Sequence, residues 1–586
     1  MRTRFVSFLS VGSLMLALIS GACDRPQVVE EGVSIATPEL LEKHCRDVVG
    51  PPRVEQISEH VWAAIGYDLA STVLIHTSEG NVIVDTAISP PKALEIKAAL
   101  EAKAPKGPVK AVIFTHSHID HVGGATVWAE EGVPIWATAV LPGHLLKQYA
   151  LYLPIETIRG SRQFGRDVPS SKVPCSALGP RPDFDLMGKS GMLLPTETFS
   201  GKEVLTIGGV TIELVEAHGE THDQLFVWIP EDDTVIAGDN FYWSFPNLYT
   251  LRGTSPRPVD DWIESVDKIR RRNPAHLVPN HTKPIHGKEK IAEILTNYRD
   301  SIQWVRDEVV RGANKGLDVD TLAETIKLPK HLAEKHYNKE FYGQVDWSVR
   351  AIYTNNLGWF DGRADKLYPL PQQEVAAREV ELFGGVDKAM SLADEAVEGG
   401  DLRWAIHLLA KVEDSGLAGG AAERRLTERL ALCYESLAEG IYNTNGRAYL
   451  LQTAVDLRRG DTEVTRAVPP EGLVTRIPLT HIFFILGSKL IPEKSMDVHE
   501  AIQFVFKDLD RRFTVTVRHG IAEIVEGDPL PGTPDPVAVL TFDSLDFRKM
   551  IFKMARPAGL WAKGRITAEG SWIDALTFLG RFDTSA

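Results

Sequence analysis

Cysteine is scarce in this chain: four in 586 residues, too few to staple a fold of this size. Only Cys45, Cys175 and Cys433 lie beyond the first two dozen residues. They allow one disulfide at most, and spacing does not say whether it forms. Positive charge is also short, with 64 Lys and Arg against 79 Asp and Glu, a formal net charge of −15. That balance argues against nucleic acid or an anionic membrane surface as a general partner. An anionic substrate would need a local basic pocket. There is no low-complexity tract and no firm internal repeat period. After the N-terminus no apolar run is long enough to span a bilayer.

What is there is ordinary globular composition, 44% hydrophobic and 24% charged, at a length that predicts two to four domains. The opening "MRTRFVSFLSVGSLMLALISGAC" has Arg2 and Arg4, an apolar stretch to Ile19 and small residues before Cys23. It reads as a signal peptide over 1–23, placing the mature protein in the periplasm or outside the cell. Cleavage after Ala22 would leave Cys23 first, as in lipid-anchored bacterial proteins; plain secretion is the alternative.

Residues 55–290 alternate β-rich runs with helical patterns, which predicts an α/β layered domain. "STVLIHTSEGNVIVDTA" reads as strand, turn and strand ending at Asp85. "PPKALEIKAALEAK" follows as an amphipathic helix and "VKAVIF" as a buried strand. Strand-like sequence begins by about Val61. Residues 291–315 and 372–460 are helix-dominated and alanine-rich. The last part, from about 466, predicts a small α+β domain with helices near 481–491 and 499–506 and strands "FTVTVRHG", "IAEIVEG" and "VAVLTF".

The chemistry is concentrated in "VIFTHSHIDHVGGA", with His116, His118, Asp120 and His121 within six positions after an apolar run. Imidazole and carboxylate are the usual ligands of zinc and similar ions. A turn leaving a strand can aim His116 and His118 at one ion and Asp120 and His121 at a second. Gly123 and Gly124 would let the backbone pack closely as a helix begins. Two ions about 3.5–4 Å apart can share a hydroxide that is nucleophilic at neutral pH. A solvated His-rich loop is the bland alternative, and it fits poorly with a turn that leaves a buried strand.

In this strand-rich setting the motif resembles the metallo-β-lactamase superfamily. The resemblance implies further ligands from "AHGETHDQ", "VIAGDN" and "HLVPNHTKP", namely Glu220, a bridging Asp239 and His281. Glu220 stands where most of that superfamily has histidine; His218 and His222 are the nearby alternatives. The Gly-Glu-Thr ligand, "NLYTLRG" and the Asp-Asn after "VIAG" resemble the alkylsulfatase branch. So do "AIYTNNLGWFDGRADKLYPLP", similar to the join to that family's helical dimerisation domain, and a C-terminal segment similar to its sterol-carrier-protein-like domain. The implied order is an αββα metallo-β-lactamase-fold domain over 50–315, a helical dimerisation domain over 316–460 and a sterol-carrier-like domain over 466–586. The last is expected to hold an apolar tail.

The expectation is hydrolysis of alkyl sulfate esters by a hydroxide held between two ions. Zinc is the first choice, with iron or manganese also acceptable. His116, His118 and Glu220 would hold one ion, Asp120, His121 and His281 the other, with Asp239 between them. Asp120 and Asp239 are the expected catalytic carboxylates. Glu220 cancels metal charge, so the sulfate would need side chains: Arg252, Arg257 and Asn247. Phe164 stands where a tyrosine is expected, which would change hydrogen bonding in the pocket. The implied assembly is a homodimer. The rivals are a thioesterase or lactonase of the same fold, and a non-catalytic lipid-binding envelope protein.

Overall fold

The computed structural model describes residues 29–148, 151–463 and 471–583. The expected signal peptide and Cys23 lie outside the described residues. Two sheets face each other. The first runs β1 (Arg53–Gln56), β2 (Val61–Ile65), β3 (Thr72–Thr77), β4 (Gly80–Val84), β5 (Val109–Ile113), β6 (Ile135–Thr138) and β7 (Glu197–Phe199), in that order. Its first four strands are antiparallel, and β4 to β7 are parallel. The second holds β8 (Lys202–Ile207), β9 (Val210–Glu216), β10 (Leu225–Ile229), β11 (Thr234–Ile236), β12 (His276–Val278) and β13 (Ile285–His286).

The two sheets bury a common interior. Val73, Ile75, Val82, Val84 and Ile113 meet Ile212, Leu214, Val227, Ile236 and Val278 there. Strands buried on both faces read as near-continuous apolar runs, as "NVIV" and "LFVWI" do. The crossover between parallel β4 and β5 is the helix Pro90–Lys103. Its Ala93, Ile96 and Leu100 form one buried stripe at helical spacing against the first sheet. Helices Val259–Arg272 and Lys288–Asn314 cover the second sheet in the same way. The result is the αββα layering expected.

The core under the second sheet continues past residue 315 through Leu322, Phe341 and Val349 to Tyr353. Residues 354–359, by contrast, are all exposed. The helices from Gln372 to Glu439 then pack around Val380, Leu408, Leu409 and Leu430. Helix Thr444–Arg459 returns to the two-sheet domain, where Asp456 accepts a 2.8 Å hydrogen bond from Arg162 Nε. Cys45 and Cys175 form a disulfide, and Cys433 is free and buried.

The C-terminal domain is a third sheet, β14 (His499–Phe506), β15 (Arg511–Arg518), β16 (Ile521–Glu526), β17 (Pro536–Phe542) and β18 (Thr567–Gly570). The helix expected near 499–506 is the strand β14. Ala501, Ile502, Phe504 and Phe506 are buried in it, and it pairs with β15 on one side and β17 on the other. The period-2 alternation from Ile502 to Phe506 outweighs its apolar content. The helix expected near 481–491 is Leu479–Ser488, and its Phe483 stacks on Phe513 and Phe547. Among the described residues no helix is long and apolar enough to cross a membrane.

Candidate metal centre

The centre forms where strands of both sheets end on the same side. Strand β5 delivers Thr115 and His116, and a loop and the one-turn helix Ile119–Val122 then place His118, Asp120 and His121. The turn is pinned from beneath by Asp85, at the end of β4. Thr115 donates from its backbone N–H and its hydroxyl to the two Asp85 oxygens, each at 2.8 Å. His121 Nδ1 lies 2.6 Å from Asp85 Oδ2, and Asn280 Nδ2 donates to the same oxygen at 2.6 Å. A Cβ on Gly123 would stand 2.1 Å from the Ile88 carbonyl oxygen, and one on Gly124 2.0 Å from that of Thr86. Those glycines therefore allow the close approach expected of them.

Two groups of ligand-competent atoms result: His116, His118, Glu220 and Asp239, and Asp120, His121 and His281, all buried. Glu220 comes from the loop between β9 and β10, Asp239 from the end of β11, and His281 from the end of β12. Glu220 Oε2 is 3.4 Å from His118 Nδ1 and 4.0 Å from His116 Nε2. In the second group, Asp120 Oδ2 is 3.5 Å from His121 Nε2 and 3.6 Å from His281 Nε2. Asp239 reaches both groups, at 3.8 Å from His116, 3.5 Å from His121 and 3.1 Å from His281. His281 Nδ1 lies 2.8 Å from the Leu69 carbonyl, which as its acceptor turns Nε2 toward the carboxylates. His218 and His222 lie outside both groups, bound to Glu216 and to the Pro256 carbonyl.

These residues fit cations. His121 Nε2 and Asp239 Oδ1 face the centre and are buried without a hydrogen-bond partner. With neutral imidazoles, Asp120, Glu220 and Asp239 against Arg257 leave two negative charges buried, a costly state without compensation. The protonation tendencies carry the same imbalance. Burial pulls His121 down, but Asp85, Asp239 and Asp120 outweigh it and raise it well above its ordinary value. His281 is raised to about 8 against its own burial, chiefly by Asp239. Burial lifts Asp239 to about 7. A site that collects protons on its ligands is one that metal ions can occupy by displacing them.

The expected sulfate residues are all near, but not alike. Arg257 is buried, and one terminal nitrogen donates to both Glu220 and the Asn247 carbonyl. Its guanidinium returns the positive charge that Glu220 removes, but spends it on Glu220 itself. The Arg257 Nε and both side-chain heteroatoms of Asn247 are buried and unpartnered. Arg252 is less enclosed and faces Glu156 at 3.7 Å. It lines a cleft of about 350 Å³ that also touches Ser117, Glu220, Thr221 and His222. Phe164 is not among the residues lining that cleft; it packs against the core beneath the second sheet.

Sequence reasoning missed Asp85, Asn280 and Asp68 as supports of the centre. Asp68 accepts from the backbone N–H of Leu69 and Ile88, at 2.8 and 2.7 Å. Only Asp85 carried any signal, as the polar end of an apolar strand.

Comparison with known proteins finds three family models along the chain: the metallo-beta-lactamase superfamily over residues 65–281, alkyl sulfatase dimerisation over 318–460, and alkyl sulfatase C-terminal over 470–586. A linear primary-alkylsulfatase of Pseudomonas sp. (strain ATCC 19151) is 32% identical over 532 residues, covering 87% of this chain and 98% of that one. An (R)-specific secondary-alkylsulfatase of Pseudomonas sp. is 27% identical over 583 residues, covering 93% of this chain and 84% of its own. The solved structure of a stereoselective inverting sec-alkylsulfatase from Pseudomonas sp. superposes with a TM-score of 0.86 at 22% identity. It covers 95% of this chain and 88% of that one, a likeness of fold.

Proposed function

The chain belongs to the alkylsulfatase family of metallo-beta-lactamase-fold hydrolases, and from that premise we propose that it hydrolyses an alkyl sulfate ester at a centre of two divalent ions. Ester and water give the alcohol and hydrogensulfate. The observation that carries this reading is the pair of buried ligand groups meeting at Asp239, beside a cleft lined by Arg252. His116, His118 and Glu220 would hold one ion, Asp120, His121 and His281 the other, with Asp239 shared; zinc fits this donor set. When bound, the ions supply an activated water and neutralise developing negative charge.

The chain's own residues do the rest. Asp85 orients His121, and the Leu69 carbonyl orients His281, so that each presents Nε2 to the centre. Burial pushes Asp120 up, but the imidazoles of His121, His281 and His118 hold its carboxyl below the ordinary range. It therefore stays ionised, as a metal ligand must be. Arg252 would take the sulfate oxygens, with the unpartnered Arg257 Nε and Asn247 side chain beneath. Glu220 weighs against the lactonase and thioesterase readings, for which histidine is expected there. The seven ligand-competent side chains weigh against a purely lipid-binding role.

The family match over 318–460 supports a homodimer. An oxidising compartment, periplasmic or extracellular, agrees with the Cys45–Cys175 disulfide and the N-terminal sequence; a lipid on Cys23 would anchor the protein there. The test is sulfate release from dodecyl sulfate by purified protein, before chelation, after it, and after zinc is restored. Release that persists in metal-free protein would refute the metal-centred reading.

A further inference from the structure

The cleft beside Glu220 is lined by three cations, Lys147, Arg159 and Arg252, and two carboxylates, Glu156 and Glu220. Its wall takes Lys147 from helix Leu141–Gln148, Arg159 from helix Leu153–Phe164, and Arg252 from the segment that follows Asp239. These cations stand in two tiers. Arg252 and the buried Arg257 are among the charges that act most strongly on His118, so they belong to the metal side. Arg159 and Lys147 are not among the charges named for His118; Arg159 acts together with Arg252 on Glu156, and Lys147 acts on His144.

The outer pair is held by neutral groups. Arg159 Nε donates to the Leu251 carbonyl at 2.8 Å, and a terminal nitrogen donates to the Tyr249 hydroxyl at 3.2 Å. Lys147 Nζ reaches the Ser255 hydroxyl at 3.4 Å. All three partners are neutral. Among the described residues no carboxylate lies within 4.0 Å of either cation, whereas Arg252 does face one, Glu156. Acidic residues outnumber basic ones in this chain, 79 to 64, so two unpaired cations on one wall are not explained by a general surplus. The fixed fork of Arg159 can receive two oxygens with little loss of side-chain entropy. Gln148, Thr254 and Ser255 continue the polar lining beside it, and Tyr152 and Ile155 contribute the apolar part.

We infer that Lys147 and Arg159 form a second anion subsite, so that the preferred substrate is a sulfate ester of a short alcohol that itself carries a carboxylate or a second sulfate. The ester group would lie toward Arg252 and the metal ligands, with the second anion on the outer tier. A cavity of about 350 Å³ holds both only when the spacer is short. The inference rests on the sulfate-ester reading given above. Its rival is steering, in which the outer cations draw in every sulfate ester alike.

The experiment compares butyl sulfate, 4-(sulfooxy)butanoate and butane-1,4-diyl disulfate with the zinc-loaded full chain at fixed ionic strength. The doubly anionic esters should be preferred in kcat/KM by about tenfold or more, mostly through KM, as one charge-assisted contact allows. In the Lys147→Gln/Arg159→Gln variant that ratio should fall toward one, and Arg159→Lys should retain part of it. A wild-type ratio near one overturns the inference and leaves the sulfatase reading standing. So does an equal fall for all three esters in the variant, the mark of steering. No sulfate release from these esters or from dodecyl sulfate overturns both.

Discussion

Asp85 accepts from Thr115 and Asn280 and pairs with His121 Nδ1, yet touches none of the other proposed ligands, so its carboxylate is a support that can be removed alone. Asp85→Asn keeps its shape and loses the charge that orients His121. Metal affinity should fall about 10–100-fold, read by titration with a competing chelator. Arg252→Ala should leave metal content unchanged and cost about 3 kcal/mol in kcat/KM, roughly a hundredfold. Unchanged kinetics would remove Arg252 from the sulfate site. Protons compete with metal at His281 and His121, both raised in the metal-free protein, His281 to about 8. Affinity should therefore be highest above pH 8 and weaken as the pH falls through that value, with protons released on binding. Calorimetry in buffers of different ionisation enthalpy checks both. At this scale the His-x-His-x-Asp-His cluster was legible because one turn holds it. Asp85 was not, since it lies 30 residues before Thr115 and its role exists only once β4 lies beside β5.

The metal turn works as an element because it has no room to move. Gly123 and Gly124 lie against the backbone of residues 86–88, so a methyl group on Gly123 must displace main chain rather than a flexible side chain. Gly123→Ala should destabilise the protein by roughly 3 kcal/mol. It should also lower metal occupancy, since His118, Asp120 and His121 share the turn; differential scanning calorimetry and elemental analysis test the two parts. The elements of the catalytic layers were readable because strands buried on both faces and an amphipathic crossover helix leave strong patterns. β14 was misread as a helix because eight apolar-rich residues suit either form until two neighbouring strands supply hydrogen bonds on both sides.

Across the whole molecule, the Cys45–Cys175 disulfide joins segments 130 residues apart. Chain-entropy reasoning assigns a link of that span about 3–5 kcal/mol. Cys45→Ser/Cys175→Ser should lower the thermal midpoint, and a reducing agent should do the same to the wild type only. The exposed stretch 354–359 ends in Trp359, 75% exposed, and Tyr368 beyond it is 93% exposed, both inside the segment matched by the dimerisation family. Such a patch needs a partner surface. Light scattering should give a dimer mass for the wild type and a monomer mass for Trp359→Asp/Tyr368→Asp. A wild-type monomer at micromolar concentration would contradict the homodimer.

The sequence alone determined the chemistry's type and the layered class. Ligand residues packed into one turn, and periodicities of two and of 3.6, are local properties that need no folded neighbour to be read. The choice of Glu220 over His218 and His222, and the meeting of Asp239 and His281 with the first turn, depend on strand ends up to 165 residues apart arriving at one edge of two sheets. The tertiary structure also tied Arg257 to Glu220 and, among the described residues, left Lys147 and Arg159 with no carboxylate within 4.0 Å. Charge compensation depends on distance in space, and a chain written in one dimension does not contain that distance.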